Sequence, residues 1–236
     1  MNLARYPNFL KDLDTVCVQD DFFWYVTAHQ WTSLAADTTP TLTVPDAVNG
    51  LLRLFTDTTD NNEVAVRSTA ELFKFGTNRE LYCRVKLQYS ENDTNKANVF
   101  AGFASAIGAN LLLDNGGGPR VTGDMFGLFK VDGSTVWKAL TQTNGTATTT
   151  TSTKTAGGTD PQVLEVIAKD HDGVKMVATF RVDGEYLKDS NGNIIRHEIT
   201  ISGATEMNVG VYVKTGGGAG GETVDVDYLC GLQNRI

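Results

Sequence analysis

The sequence predicts an all-β fold, an antiparallel β-sandwich of jelly-roll type, and three observations lead there. First, Leu81 to Tyr89 alternates without a fault, with Leu81, Cys83, Val85, Leu87 and Tyr89 on one parity and Tyr82, Arg84, Lys86 and Gln88 on the other. Successive strand side chains point to opposite faces, so this run suits a strand with one face in a core and one in water, and it suits a helix poorly. Second, Gly is abundant at 24 residues and Pro scarce at 5, and turn clusters such as Asp57-Thr58-Thr59-Asp60-Asn61-Asn62, Asn115-Gly116-Gly117-Gly118 and Asp189-Ser190-Asn191-Gly192 punctuate the β-rich runs. Third, no helical periods separate those runs. Parallel crossovers need a dozen or more residues, usually helical, so the strands close antiparallel into a sandwich.

Taken in order, the alternation predicts strands at Thr41 to Val44, Leu51 to Thr56, Glu63 to Phe75, Leu81 to Tyr89, Asn98 to Ala106, Met125 to Val131 and Thr135 to Thr141. It continues with Thr146 to Thr155, Val163 to Asp170, Lys175 to Val182, Ile194 to Ile201, Met207 to Lys214 and Thr223 to Leu229. Residues 1–20 stand apart as a short N-terminal arm or helix, with Leu3, Tyr6, Phe9, Leu10 and Leu13 at loosely helical spacing, and residues 21–236 form the sandwich as one domain. The five apolar side chains of that arm are the candidate partner-binding residues; the alternative is a helix lying on its own sandwich. Thr146 to Thr159 is nearly all Thr, Ser, Ala and Gly with one Lys. It has β propensity but little to bury, which predicts an exposed hairpin or edge strand.

Composition narrows the function. The 236 residues carry 20 basic and 28 acidic side chains, a formal net charge of -8, which repels a phosphate backbone and argues against nucleic acid as a partner. No apolar run approaches the roughly 18 residues of a membrane span, and no apolar block follows the polar start in the manner of a signal peptide. The expectation is a soluble chain made in a cytoplasm, with no membrane partner. Cys17, Cys83 and Cys230 are odd in number and far apart, and read as ordinary thiols, with Cys83 in the core by its parity.

Catalytic signals are sparse. Glu222-Thr223-Val224-Asp225-Val226-Asp227 is the best acidic cluster, because retaining glycosidases place two carboxylates about 5 to 5.5 Å apart. Parity separates Glu222, Val224, Val226 and Tyr228 from Asp225 and Asp227, and turns the two aspartates away from the core. A calcium site at Asp225 and Asp227, or at Asp57, Asp60, Asn61 and Asn62, needs six to eight oxygens from several segments and is not predicted. His29, His171 and His197 lack paired metal spacing. No G-x-S-x-G elbow or phosphate-binding loop occurs, and Gly216 to Gly221 reads as a loop between strands with a binding-loop alternative. Cofactors and metals are therefore expected to be none. Phe22, Phe23, Trp24, Tyr25 and Trp31 cluster early and Trp137 follows Asp132-Gly133-Ser134; core packing is favoured for them over a lectin-like platform of exposed rings. Tyr82 is the one ring on a polar parity.

Five motifs in order carry a resemblance: Asp20-Asp21-Phe22-Phe23, the run Leu54 to Glu63, the run Gly127 to Ser134, Phe180-Arg181-Val182-Asp183-Gly184, and Val224-Asp225-Val226-Asp227-Tyr228. Over roughly residues 20 to 235 the chain resembles concanavalin A-like (laminin G-like) jelly-roll proteins, and more narrowly those encoded among tailed-bacteriophage virion genes. The resemblance implies a non-enzymatic capsid decoration (cement) protein on the capsid exterior of a virion. It would bind the major capsid protein, as a homo-oligomer such as a trimer. The chain lacks the E-x-D-x-x-E strand of the enzymes of this fold, so hydrolysis is not implied. It shows no matched lectin calcium and sugar set either. A carbohydrate-binding, lectin-like module is the alternative, and a glycosidase or polysaccharide lyase the third reading.

Overall fold

A computed structural model describes residues 15–35, 40–45, 50–91, 95–158, 160–216 and 220–235. Among the described residues there is no helix. The strands are β1 (Thr15–Asp20), β2 (Trp31–Ala35), β3 (Thr41–Thr43), β4 (Leu52–Phe55), β5 (Glu63–Ser68), β6 (Glu80–Ser90), β7 (Ala97–Ala104), β8 (Leu112–Leu113) and β9 (Gly118–Pro119). They continue as β10 (Met125–Lys130), β11 (Val136–Thr143), β12 (Thr146–Thr155), β13 (Gln162–Asp170), β14 (Lys175–Val182), β15 (Glu185–Tyr186), β16 (Arg196–Thr200), β17 (Asn208–Thr215) and β18 (Thr223–Asn234).

Two antiparallel sheets face each other. One runs β15-β14-β13-β6-β18-β4-β3, with β1 also on β18 and β16 also on β14; the other runs β12-β11-β10-β7-β17-β5-β2. Spatial neighbours such as β6 and β18, or β7 and β17, are far apart in sequence, so the chain crosses repeatedly between sheets as a jelly roll does. The expected all-β sandwich is therefore present. Leu81, Cys83, Val85, Leu87 and Tyr89 of β6 all enter the core between the sheets, which is what their parity predicts.

The core takes the inward side of each strand, for example Val99, Ala101 and Phe103 of β7, Phe126 and Leu128 of β10, and Val209, Val211 and Val213 of β17. Trp137 is fully buried, stands edge-on to Tyr89 with ring centroids 6.0 Å apart, and donates its indole N–H to Gln162 Oε1 at 2.9 Å. That hydrogen bond is what lets a large amphipathic ring sit in an apolar layer.

The outer face of the seven-stranded sheet is also closed. Ile107, Leu111 and Leu112 pack there on Phe100, Phe129, Leu140 and Tyr212. Gly127, Gly102 and Gly210 form a row across β10, β7 and β17. A methyl group at Gly102, whose φ is +147°, would strike the Phe126 carbonyl oxygen. The row gives Ile107 a shelf, since a side chain at Gly210 would meet its Cδ1. Polar ties hold the segment down: Asn110 donates its N–H to both carboxylate oxygens of Glu63 at 3.0 and 2.8 Å, and Lys214 binds Asn110 Oδ1 at 2.9 Å and Asp114.

Several expectations change. Residues 15–20, expected within the arm, are a strand paired with β18 from Leu229 to Asn234; residues 1–14, with Leu3, Tyr6, Phe9, Leu10 and Leu13, lie outside the described residues. The strand expected at Glu63 to Phe75 ends at Ser68, because the chain turns to pair singly, Phe73 with Met207, so that Phe73 and Phe75 still reach the core. Five strands, β1, β2, β8, β9 and β15, have no counterpart among those expected, and each is short or at a sheet edge. β18 carries an irregularity between Val226 and Tyr228. The extra residue flips the parity, so Tyr228, expected on the core side with Val224 and Val226, instead packs with Tyr82, Cys230 and Leu232 on the opposite face. The same outer cluster covers Tyr82, whose ring is buried rather than offered to a ligand. β12 is the edge strand its Thr-rich composition predicts.

Candidate functional site

The segment from Asp20 to Trp31 leaves β1 of one sheet and enters β2 of the other. One carboxylate organises it. Asp20 Oδ1 accepts the Phe22 N–H at 2.8 Å, and Oδ2 accepts the Trp31 indole N–H at 2.8 Å. Phe22 takes φ +51°, a left-handed backbone that an aromatic residue adopts only where surrounding structure forces it. The force is visible: the Phe22 ring is buried against Trp31, with centroids 5.7 Å apart, and a side chain at Gly50 would collide with the Asp21 carbonyl oxygen and the Phe23 N–H. The other end of the loop is held by Ala28 N–H to the Trp31 carbonyl at 3.0 Å and Thr69 N–H to the Gln30 carbonyl at 2.9 Å, and by Gln30 Nε2 to the Gln19 carbonyl at 2.7 Å.

The reversal at Phe22 throws the next two rings outward. Phe23 is 65% and Trp24 77% exposed, with Val26 at 57%. Beside them lies a cavity of about 400 Å³ lined by Asp20, Trp24, Val26, His29, Gln30 and Trp31. This divides the early aromatic cluster: Phe22 and Trp31 pack as expected, while Phe23 and Trp24, expected in the core, stand in solvent. Four consecutive aromatics could not all face one interior, and that local signal was present in the sequence.

The acidic candidates behave as structural groups. Asp225 is held by a two-pronged Arg53 guanidinium, Nε to Oδ1 and Nη2 to Oδ2, both at 2.7 Å. Arg53 is raised from its ordinary pKa first by that hydrogen bond and also by the charge of Asp225. Asp227 is paired with Lys86. Both aspartates turn away from the core, as parity requires, and both have their charge matched. Glu222 is buried near Tyr89 and Lys130. Burial raises the Tyr89 phenol, and Glu91 and Glu222 raise it further. Burial lowers Lys130, opposed by its hydrogen bond to Glu91. The loop carboxylate of Asp57 accepts the Thr59 N–H at 2.7 Å and the Asn62 side-chain amide at 2.9 Å, closing its own turn. Among the described residues no group of three or more His, Cys, Asp or Glu is placed to hold a metal ion. Of the Gly216 to Gly221 run, residues 217–219 lie outside the described residues.

His197 is buried with its nitrogens on two threonines, Nδ1 to Thr141 at 3.1 Å and Nε2 to Thr150 at 2.9 Å. Desolvation lowers its pKa to about 4. Cys83 is driven upward by burial. Cys17, by contrast, is exposed and lowered to about 7, chiefly by a hydrogen bond with Cys230.

No family model and no curated protein matches the chain. Among solved structures it is similar to an endo-1,3-beta-glucanase from Streptomyces sioyaensis, with 15% identity, coverage of 95% of this chain and 98% of that one, and a TM-score of 0.60. It is also similar to the Emp47p carbohydrate recognition domain, at 12% identity, 93% and 95% coverage and a TM-score of 0.57. A protein of unknown function from Shewanella oneidensis MR-1 aligns at 14% identity, 98% and 93% coverage and a TM-score of 0.55. Identities this low speak for the fold alone: the chain has a concanavalin-like jelly-roll β-sandwich fold. Recognition domains and a hydrolase share that fold, so function has to be argued from the site.

Proposed function

We propose that this protein is a non-catalytic carbohydrate-binding, lectin-like module whose contact surface is the loop from Asp20 to Trp31. The observation that carries this reading is a pair of rings, Phe23 and Trp24, held in solvent by a tethered loop. Leaving large apolar faces in water costs free energy unless a partner covers them, and the apolar C–H face of a sugar stacks on such rings while its hydroxyls meet polar groups at the edge. His29 and Gln30 line the same cavity and supply that edge. The neck bonds fix the loop before binding, which lowers the ordering entropy lost on association. The similar Emp47p domain, by its name a carbohydrate recognition domain, supports the class without identifying the sugar.

Hydrolysis is not part of the reading, because Asp225 and Asp227 are each held in an ion pair, with Arg53 and with Lys86. A virion cement role, with the major capsid protein as partner and the capsid exterior as location, comes from the resemblance and from an arm whose residues 1–14 lie outside the described residues, and no observation in the described fold favours it. A glycan array on the purified protein tests the proposal: a specific sugar signal is expected, and Trp24→Ala should remove it while the variant stays folded. An array with no specific signal from the unmodified protein defeats the reading.

A further inference from the structure

We propose a second saccharide subsite, selective for acidic sugars, in the cleft between the end of β12 and the β14–β15 hairpin. Asp183 and Gly184 join those two strands with successive positive φ values of +55° and +82°, the backbone of a tight hairpin turn. The turn sets Arg181 opposite Tyr186. There the guanidinium carbon lies 4.1 Å from the ring centroid and Nη2 donates to the Tyr186 hydroxyl. One side of the ring is thereby held, and the residue remains 41% exposed. The Thr153 N–H donates to the Lys188 carbonyl at 3.0 Å, which ties the edge of the seven-stranded sheet to the hairpin and brings Lys154 and Lys188 to the same cleft.

The cleft holds about 470 Å³, inside the range of about 300 to 1,000 Å³ typical of small-molecule sites. Its floor is apolar, with Val182 and Leu187 buried, and Ile194 forms an exposed wall. Its charge runs against that of the chain. In a protein of net charge -8, the charged residues that line it are Lys154, Lys188 and Glu185. Asp183 is already engaged, by Lys154 at 3.1 Å and by the Val163 N–H at 2.9 Å. Lys188 therefore offers a cation beside an aromatic ring and an apolar floor. A sugar ring bearing a carboxylate or a sulfate supplies both complements at once: a C–H face for Tyr186 and Ile194, and an anion for Lys188.

The subsite is independent of the aromatic loop. β12 and β2 are the two opposite edges of the seven-stranded sheet, and the loop adjoins β2. Isothermal titration of a trigalacturonide, a sulfated trisaccharide and a neutral trisaccharide at low and physiological salt tests the proposal. The acidic probes are expected to bind at least about tenfold more tightly than the neutral one, and less tightly as salt rises. The tighter of the two acidic probes identifies the preferred anion. Lys188→Gln and Tyr186→Ala should each weaken acidic binding by about tenfold, whereas Trp24→Ala should leave it unchanged. Equal binding of acidic and neutral probes, no binding by any of them, or insensitivity to Lys188→Gln overturns the subsite. Loss through Trp24→Ala would assign the signal to the aromatic loop and overturn it as well.

Discussion

Acid should destabilise this protein through one histidine. His197 on β16 faces the Phe180 ring at 5.1 Å and has both nitrogens on threonine hydroxyls, and burial holds its pKa at about 4. In the unfolded chain the imidazole returns to about 6.5. A depressed folded-state value means that the unfolded state takes up the proton first as pH falls. The contribution of the neutral ring is thus intact above about pH 6.5 and is lost between about 6.5 and 4. At about pH 5 the unfolded state is favoured by a factor of about 20 relative to neutral pH, or about 2 kcal/mol. Urea denaturation at neutral pH and near pH 5 measures it, with His197→Gln as reference, because glutamine can satisfy a threonine hydroxyl without titrating. Asp170, Asp172 and Asp189, each held low by backbone N–H groups, also weaken the fold in acid, but they do so in both proteins. The unmodified protein should lose about 2 kcal/mol more than the variant over that interval. Parallel losses would refute the assignment of the buried neutral ring.

Other outcomes follow from particular contacts. Trp24→Ala, at an exposed ring, should lower affinity for the recognised glycan by roughly 1 to 3 kcal/mol, leaving urea stability within about 0.5 kcal/mol; equal losses of both would make Trp24 structural. Cys17, exposed and lowered to about 7, should alkylate with iodoacetamide much faster in the native protein than buried Cys83, read by mass spectrometry with peptide mapping; equal rates would contradict the burial pattern. Gly102→Ala forces a methyl group against the Phe126 carbonyl at φ +147° and should destabilise by about 2 kcal/mol or more, a loss visible as a lower urea midpoint. Asp225→Asn breaks the partly exposed Arg53 pair and should change stability by about 1 kcal/mol or less. A gain or loss of polysaccharide hydrolysis in that variant would overturn its structural role.

Much of the fold was legible because a sheet with one dry face writes its geometry into the chain at period two. Lys175–Val182 and Thr146–Thr155 occupy the strands their alternation and composition predict. Strands that pair by contact with distant segments were less legible. Thr15–Asp20 reads as the end of an N-terminal arm or helix and is strand because Leu229 to Asn234 lies beside it. Trp31–Ala35 is likewise an edge on β5. The irregularity at Asp227 reversed Tyr228 without any glycine or proline to announce it. The candidate site was the least legible. Phe22 and Phe23 are adjacent and chemically alike, yet one is in the core and the other in water, and the difference is a carboxylate bond and a positive φ.

The sequence by itself determined the all-β class, most of the long strands, the inward parity of β6, and the outward turn of Asp225 and Asp227, because these depend on local alternation and the free energy of burying apolar area. Only the tertiary structure decided which aromatic rings meet solvent, that the outer face of the seven-stranded sheet is closed by Ile107, Leu111 and Leu112, and that Lys154 meets Lys188 beside Tyr186. Each of these rests on contacts between segments distant in the chain, and no local pattern encodes where such segments come together.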